Sequence, residues 1–343
     1  MPLALGERIL RGTTDDRLMR RIAIINQKGG VGKTTTTVTL GAALARRGSR
    51  VLLIDLDPQG HMTLHLGMDL DGSSPTTYDL LTRSTPVHQA RQQVDDRLWC
   101  VGAHIELAAA EPELVSVVGR EMILRDRLEA QPDPYDYVLM DCPPSLGLLT
   151  LNALAAAREV FIPIQAHFLA LQGMGNLLKT VSLVSQRINP DLRVSGIILC
   201  MFESTTRLAG EVVEELQGFL AEAGKASMPW AHARLFDTRI RRNIKLAECP
   251  SHGKTIFGYA PTSNGATDYE MLALEVAGEL PSRDEPLDAD DQIPAAKQAD
   301  APPPDPVDAA SPQGPPIGYQ PDLQPPVDGP QAAPASPLPE SAP

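Results

Sequence analysis

Cysteine is scarce in this chain of 343 residues. Its four cysteines, Cys100, Cys142, Cys200 and Cys249, lie far apart, and no two of them form a Cys-x-x-Cys pair. This spacing excludes a disulfide-stapled secreted domain and a cysteine zinc site. It favours reduced thiols in a cytoplasmic protein.

Long apolar runs are also missing. No stretch of 18 or more apolar residues occurs, so no transmembrane helix is expected. Near the N-terminus, Glu7, Arg8 and Arg11 interrupt the short apolar stretches, which excludes a signal peptide. We therefore expect no integral membrane segment, and we interpret residues 1–20 as a short, flexible leader.

Basic residues are almost absent from the last 63 residues, 281–343. This segment holds eighteen of the 32 prolines, and eleven acids against two bases, so it carries most of the chain's net charge of −13. Such a composition cannot bury enough apolar surface to offset the entropy lost on ordering, which predicts a disordered tail. Residues 21–280 are left as one large folded domain.

Within that domain, short apolar segments alternate with longer amphipathic ones. The pattern predicts strands over 21–26, 51–55, 98–101, 137–141, 160–164 and 194–200. It predicts helices over 34–47, 111–130, 148–157, 169–188, 208–223 and 266–280. This alternation is typical of an α/β fold with a parallel sheet and helices on both faces. In such sheets, ligands bind at the carboxyl ends of the strands.

A glycine-rich loop, 27–33, joins the first predicted strand to the first helix. Its glycines let backbone N–H groups approach a phosphate, and the helix N-terminus adds a partial positive charge. We expect Lys33 to bridge the β- and γ-phosphates of ATP and the Thr34 hydroxyl to ligate Mg²⁺. The motif predicts a P-loop NTPase fold whose phosphate-binding residues are Lys28, Gly29, Gly30, Val31, Gly32, Lys33, Thr34 and Thr35.

The loop departs from the ordinary P-loop pattern at its start. Gln27 stands where that pattern needs glycine, and an additional lysine, Lys28, follows it. This combination matches the deviant Walker A form, in which the first lysine is a signature residue.

Three aspartates follow predicted strands. Asp141, at the end of the strand 137–141, occupies the Walker B position, where a carboxylate holds Mg²⁺ through water. Asp57 lies on a loop two residues past the strand end, from which a carboxylate reaches and orients an attacking water. Asp55 ends its own strand, and we predict that it supports the Mg²⁺ site by holding a metal-bound water.

Six segments together resemble one family, the ParA/Soj chromosome-partitioning ATPases of the MinD/ParA deviant Walker superfamily. They are KGGVGKTTT, LLIDLDPQG, ELAAAEPEL, YVLMDCPPSLGLLTLNAL, FIPIQ and KLAECPSHGKTI, and the resemblance runs from Arg21 to Leu280. It implies an ATP-dependent sandwich homodimer that binds double-stranded DNA without sequence preference. It also implies a weak ATPase stimulated by a ParB-type centromere-binding protein, and a place on the nucleoid in the cytoplasm.

The resemblance assigns roles to individual positions. Lys28 matches the lysine that reaches the nucleotide of the opposite subunit, Lys33 the Walker A lysine and Asp57 the aspartate that activates water. Thr34 and Asp141 match the metal-binding residues. Arg242 and Asn243 match a segment near the adenine and the DNA-binding face.

The chain departs from the family pattern at several positions. Arg241 stands where the family usually has proline, Lys245 where arginine is common, and His61 where asparagine is usual. Residues 203–207 (ESTTR) also differ from the usual sequence, which affects the surface near them and leaves the phosphate chemistry untouched.

Between 232 and 254 there are six bases against two acids. Such a cluster neutralises phosphates without sequence preference, although a solvated helical face has the same composition. With the family resemblance, we predict that Arg239, Arg241, Arg242 and Lys245 contact DNA.

Two other functions remain open on the sequence alone. One is an ATP-gated positioning or scaffold protein for a protein cargo. The other is a MinD-like membrane-associated ATPase, although the acidic, proline-rich C-terminus lacks the basic amphipathic helix that such proteins need.

Overall fold

The computed structural model describes residues 19–279, except residues 71, 73, 132–133, 167–169, 204–206 and 225–227. The predicted tail and nearly all of the predicted leader lie outside the described residues. The leader's last residue, Arg20, already belongs to the first strand, where its guanidinium pairs with both carboxylate oxygens of Glu159.

An eight-stranded sheet forms the centre of the described part of the chain. Its strands are β1 (Arg20–Ile24), β2 (Val51–Asp55), β3 (Gln92–Asp95), β4 (Leu98–Val101), β5 (Tyr137–Asp141), β6 (Glu159–Gln165), β7 (Arg193–Cys200) and β8 (Arg234–Leu235). They are arranged in the order β3-β4-β2-β5-β1-β6-β7-β8. All neighbours pair in parallel except β3 and β4. The six predicted strands are confirmed. They were predictable because strands covered on both faces are continuous apolar runs in the sequence.

Helices cover both faces of the sheet. They are α1 (Lys33–Arg46), α2 (His61–His65), α3 (Thr77–Thr82), α4 (Val87–Ala90), α5 (Ala110–Glu113), α6 (Ile123–Glu129), α7 (Leu148–Ala156), α8 (Ala170–Arg187), α9 (Arg207–Ala223), α10 (Ile244–Glu248), α11 (Ile256–Tyr259) and α12 (Asn264–Ala277). Helices α1 and α12 pack together in one core, and α6, α7, α8 and α9 contribute to the other.

The single helix predicted over 111–130 is wrong. The segment consists of α5, two 3₁₀ turns at Leu114–Ser116 and Arg120–Met122, and α6. The chain is extended at Val117 (ψ 124°), and Gly119 adopts a left-handed conformation (φ 74°) that ends helical propagation. Val117 and Val118 have helical spacing but are exposed, so periodicity alone was misleading here.

The edge strands β3 and β8 were not predicted, because their residues are exposed or half-buried and form no apolar run. They extend the sheet at its two sides and leave its centre unchanged. The carboxyl ends of β1, β2 and β5 lie side by side there. Consequently the glycine-rich loop, Asp55 and Asp141 meet at one edge of the sheet, as predicted.

Candidate nucleotide-binding site

The glycine-rich loop turns from β1 into α1 through two left-handed residues, Gly30 (φ 71°) and Gly32 (φ 92°). Gly32 is the N-cap of α1, and no side chain caps the helix. The first backbone N–H groups of α1 are therefore left for an anion at the helix N-terminus. This conformation is compatible with the phosphate-binding role predicted for the loop.

The two lysines of the loop have different surroundings. Lys33 is buried, and its ammonium donates to the backbone carbonyl of Lys28 at 3.3 Å. Lys28 is exposed, while its backbone N–H is held by the Asn26 side chain at 2.9 Å. Lys33 thus points inward under the loop, and the Lys28 side chain is accessible from outside the subunit.

Thr34 and Asp141 are joined directly. The Thr34 hydroxyl donates to Asp141 Oδ2 at 2.6 Å, and the Thr37 hydroxyl lies 3.4 Å from Oδ1 of the same carboxylate. A hydroxyl and a carboxylate in contact supply the hard oxygen donors that Mg²⁺ prefers. These two residues fit the metal-binding role predicted for them.

Asp55 is fully buried and uses both carboxylate oxygens within the protein. Oδ1 accepts the Asp57 N–H at 3.1 Å, and Oδ2 accepts the Thr63 N–H at 3.1 Å and the Thr63 hydroxyl at 2.9 Å. These bonds fix the loop between β2 and α2. In the structure, Asp55 therefore shapes the loop that carries Asp57, and a metal-bound water would have to share oxygens already in use.

Asp57 is half-buried on that loop. Its Oδ1 accepts the Gln59 N–H at 3.0 Å, and its carbonyl accepts the Gly60 N–H at 2.9 Å, which makes a tight turn. The side chain lines the same cleft as the phosphate loop. This position is compatible with the water-orienting role of Asp57, which stays a prediction.

Burial makes the ionised form of both Asp55 and Asp141 unfavourable. Burial, and next the negative charge of Asp55, raise the pKa of Asp141, while the Thr34 hydroxyl lowers it. Burial also raises the pKa of Asp55, against the hydrogen bonds from Thr63. Two buried acids at one edge favour a divalent cation, because a cation offsets the cost of holding both charges out of water.

A cleft of about 770 Å³ opens beside the loop. Its walls include most of the predicted site residues, namely Gly29, Gly30, Gly32, Lys33, Thr34, Thr35, Asp57, Arg241 and Asn243. The other predicted site residues are not among its lining residues, namely Lys28, Val31, Asp55, Asp141, Arg239, Arg242 and Lys245. The cleft therefore brings together a phosphate-binding wall and a second wall from the 240–251 segment.

That second wall is built by the start of α10. Asn243 caps the helix, since its Oδ1 accepts the Lys245 N–H at 2.8 Å. Backbone hydrogen bonds from Ile240 to Leu199 and from Phe202 to Ile240 fasten the segment to the end of β7. Its placement is fixed by the sheet.

Sequence reasoning missed several cleft residues, including Tyr269, Met201 and His65. Burial lowers the pKa of His65 to about 4, and its Nε2 has no hydrogen-bond partner among the described residues. None of these residues stands in a motif with a chemical signature. Only the tertiary structure brings them to the cleft, through the packing of α2 and α12 against α1 and the course of the chain directly after β7.

The predicted DNA-contacting residues lie outside the phosphate wall. Arg239 is exposed and lies over the Phe202 ring, with 4.6 Å between its guanidinium carbon and the ring centroid. Arg242 pairs with Glu203 at 2.5 Å and Lys245 with Glu248 at 2.9 Å, and both basic side chains are exposed. Exposed pairs of this kind are weak and exchange readily for other anions.

Three further observations concern the described residues as a whole. All four cysteines are buried free thiols. None of the described helices is long and apolar enough to cross a membrane. Within the same described residues, no cluster of three or more His, Cys, Asp or Glu side chains could hold a metal ion.

Comparison with known proteins agrees with this architecture. Residues 19–194 match the family model described as "AAA domain". The sporulation initiation inhibitor protein Soj of Bacillus subtilis is 46% identical over 257 residues, which cover 75% of this chain and 97% of Soj. The chromosome partitioning protein ParA of Myxococcus xanthus is 44% identical, with 78% and 89% covered.

A solved structure gives the same result for the fold. Cobyrinic acid a,c-diamide synthase from Mycobacterium smegmatis, solved with a bound ATP analogue and magnesium, is 35% identical with a TM-score of 0.63. The match covers 76% of this chain and 95% of that one. The predicted P-loop NTPase fold is confirmed, and the chain belongs to the ParA/Soj family of chromosome-partitioning ATPases.

Proposed function

We propose that this protein is a partitioning ATPase that binds ATP and Mg²⁺ in the cleft beside the glycine-rich loop. The observation that carries the proposal is the contact between Thr34 and Asp141 at 2.6 Å, directly beside the buried Lys33. Backbone N–H groups that can donate to phosphate, a lysine ammonium and two oxygen ligands suited to Mg²⁺ lie together at one helix N-terminus. This combination serves a nucleoside triphosphate better than a small neutral ligand.

In this proposal, each part of the site has one task. Backbone N–H groups of the loop and Lys33 hold the β- and γ-phosphates, and Thr34 and Asp141 hold Mg²⁺, which neutralises charge on the phosphates. Asp57 orients the attacking water from its turn. Asp55 keeps that turn in place through Thr63 and the Asp57 N–H.

The proposal extends to an ATP-dependent sandwich homodimer. Lys28 is exposed beside the phosphate loop, so its ammonium is available to a nucleotide held by a second copy of the chain. A bound γ-phosphate attracts both lysines, and its loss after hydrolysis leaves them with less negative charge to share. ATP would then control assembly.

Of the four residues predicted to contact DNA, Arg241 pairs with Asp268 and lines the cleft, so we do not place it on the DNA surface. The dimer is proposed to bind double-stranded DNA without sequence preference, with Arg239, Arg242 and Lys245 contacting phosphates. These side chains are exposed on the 239–245 segment, next to the cleft wall. A conformational change caused by nucleotide binding would therefore need to travel only from the cleft wall to the neighbouring basic residues that contact DNA. A ParB-type partner would stimulate hydrolysis, and the protein would work on the nucleoid in the cytoplasm.

The deciding experiment is nucleotide-dependent DNA binding at several salt concentrations. Wild-type protein with a non-hydrolysable ATP analogue and Mg²⁺ should retain DNA, and the logarithm of the affinity should fall linearly with the logarithm of salt concentration. Arg242→Ala should weaken retention and make the slope shallower by about one unit. Arg83→Ala removes an exposed arginine that follows α3 and pairs with Asp79, and it is the matched control.

Two outcomes would contradict parts of the proposal. If wild-type protein binds the ATP analogue but ignores DNA at low salt, an ATP-gated positioning protein for a protein cargo becomes the better account. The pairing of Arg242 and Lys245 with acids is the observation that favours this alternative. If calorimetry with ATP and Mg²⁺ gives no heat, the nucleotide site itself is wrong.

A further inference from the structure

Arg241, at the cleft wall, donates several hydrogen bonds to a single partner, Asp268. Its backbone N–H donates to Asp268 Oδ2 at 2.9 Å, and its Nη2 donates to Oδ1 at 2.6 Å. Its Nε lies 3.0 Å from Oδ1 and 3.1 Å from Oδ2. One carboxylate thus holds both the main chain and the side chain of one residue.

The two partners differ in exposure. The Asp268 side chain is 8% exposed, whereas that of Arg241 is 49% exposed and lines the cleft. A carboxylate buried this deeply is stable only while its partner remains. The pair therefore fixes a half-open guanidinium at the wall opposite the phosphate loop.

Part of the guanidinium stays uncommitted. Among the described residues, no acceptor receives a hydrogen bond from Nη1 of Arg241. A guanidinium donates only, and its flat face stacks on aromatic rings. Both properties suit a nucleobase, which offers ring-nitrogen acceptors and a π face.

The Arg241–Asp268 pair is also connected to the phosphate loop, through the residue that follows Asp268. Tyr269, which follows Asp268 on α12, is fully buried, and its hydroxyl lies 2.9 Å from the Thr36 hydroxyl in α1. The Thr36 N–H in turn bonds to the Gly32 carbonyl at 2.8 Å. Helix α12 thus sets the distance between the Arg241 wall and the phosphate wall.

We infer that Arg241, held by Asp268, is a positioning and specificity-determining residue that contacts the base of the bound nucleotide. The inference rests on the proposed nucleotide site and adds a role at a position where this chain differs from the usual family proline. A proline has no N–H to donate to Asp268 and no guanidinium to offer. The Arg241–Asp268 pair therefore distinguishes this chain from relatives with proline at this position.

The test compares two ligands that share phosphates and differ in the base. Binding of a non-hydrolysable ATP analogue and of inorganic tripolyphosphate, each with Mg²⁺, is measured by calorimetry. Arg241→Ala should weaken analogue binding about tenfold and leave tripolyphosphate binding within twofold of wild type. Arg241→Lys should recover little, because an ammonium cannot form the planar two-oxygen pair.

A second variant guards against simple misfolding. Asp268→Asn should also weaken the analogue selectively, and the double variant Arg241→Ala/Asp268→Asn should be no weaker than Arg241→Ala, because both changes act on one pair. For wild-type enzyme and Arg241→Ala, turnover should differ in KM for ATP with kcat within twofold.

The outcomes separate this inference from the proposed function. If wild-type protein binds neither ligand, the nucleotide site falls. If wild type binds both and Arg241→Ala binds the analogue equally well, only the role of Arg241 is overturned. Equal weakening of both ligands would show that the pair supports the fold and does not read the base.

Discussion

Asp55 and Asp141 are paired residues on the adjacent parallel strands β2 and β5, and both are buried. Among the described residues, neither carboxylate has a basic side chain as a hydrogen-bond partner, because the donors are hydroxyls and backbone N–H groups of Thr34, Thr37, Thr63 and Asp57. The edge of the sheet therefore concentrates negative charge beside the phosphate loop. We expect this arrangement to favour a bound Mg²⁺ and to cost stability without one.

The first prediction follows from the raised pKa of Asp141, whose ordinary value is 3.8. In metal-free buffer the folded protein holds a proton that the unfolded chain has released. The free energy of unfolding should therefore fall as the pH rises from about 4 towards 8. Asp141→Asn should flatten this fall and raise the melting temperature at pH 8 by a few degrees, since about 1 kcal/mol corresponds to about 2–4 °C.

Thermal melts in EDTA at pH 5 and pH 8 check this prediction. Asp191→Asn, which removes an exposed acid between α8 and β7, is the control and should follow wild type. An identical pH dependence in Asp141→Asn and wild type would show that Asp141 does not carry the effect.

The second prediction separates the two lysines of the loop. Lys33→Ala removes a buried ammonium from the phosphate site, and we expect ATP affinity to fall by about 10–100-fold, the loss typical of a hydrogen bond to a charged group. Lys28→Ala removes an exposed side chain, so ATP affinity of the single subunit should change less than threefold. Fluorescent-nucleotide titration measures both.

Although the Lys28→Ala subunit should bind ATP, it should not form the ATP-dependent dimer. Light scattering with a non-hydrolysable ATP analogue should show a dimer for wild type and a monomer for Lys28→Ala. A dimer of normal strength in that variant would remove Lys28 from the interface.

The third prediction concerns Asp57. Asp57→Ala should keep ATP binding within threefold and lower turnover by about 100-fold or more, the loss typical of removing a side chain that assists proton transfer from the attacking water. Phosphate release at saturating ATP is the measurement, and Asp69→Ala, on the exposed loop after α2, is the control. Unchanged turnover would assign water activation to another residue.

The fourth prediction tests the fold. A Cβ added at Gly196 in β7 would lie 2.0 Å from the Phe236 ring, which in turn packs on Phe161. Gly196→Ala should therefore destabilise the protein by about 1–3 kcal/mol through overpacking. Gly210→Ala, inside α9 with nothing within 4 Å of the new Cβ, should stabilise it by about 0.5–1 kcal/mol. Urea unfolding of the two variants gives the comparison, and equal effects would contradict the packing argument.

The sequence by itself determined the central strands, the phosphate loop and the three aspartates. The buried strands are unbroken apolar runs, and the loop needs glycines and a lysine at fixed spacing, so both leave local signals. It also predicted that these parts would meet, because parallel strands end at a common edge.

Only the tertiary structure decided the rest. The break at Val117 and Gly119 depends on which apolar residues find a core to pack against, and periodicity cannot report that. The use of both Asp55 oxygens by Asp57 and Thr63, and the pairing of Arg241 with Asp268, join residues 2 to 27 positions apart. Such contacts depend on how α2 and α12 pack on the sheet, and no local pattern records that packing.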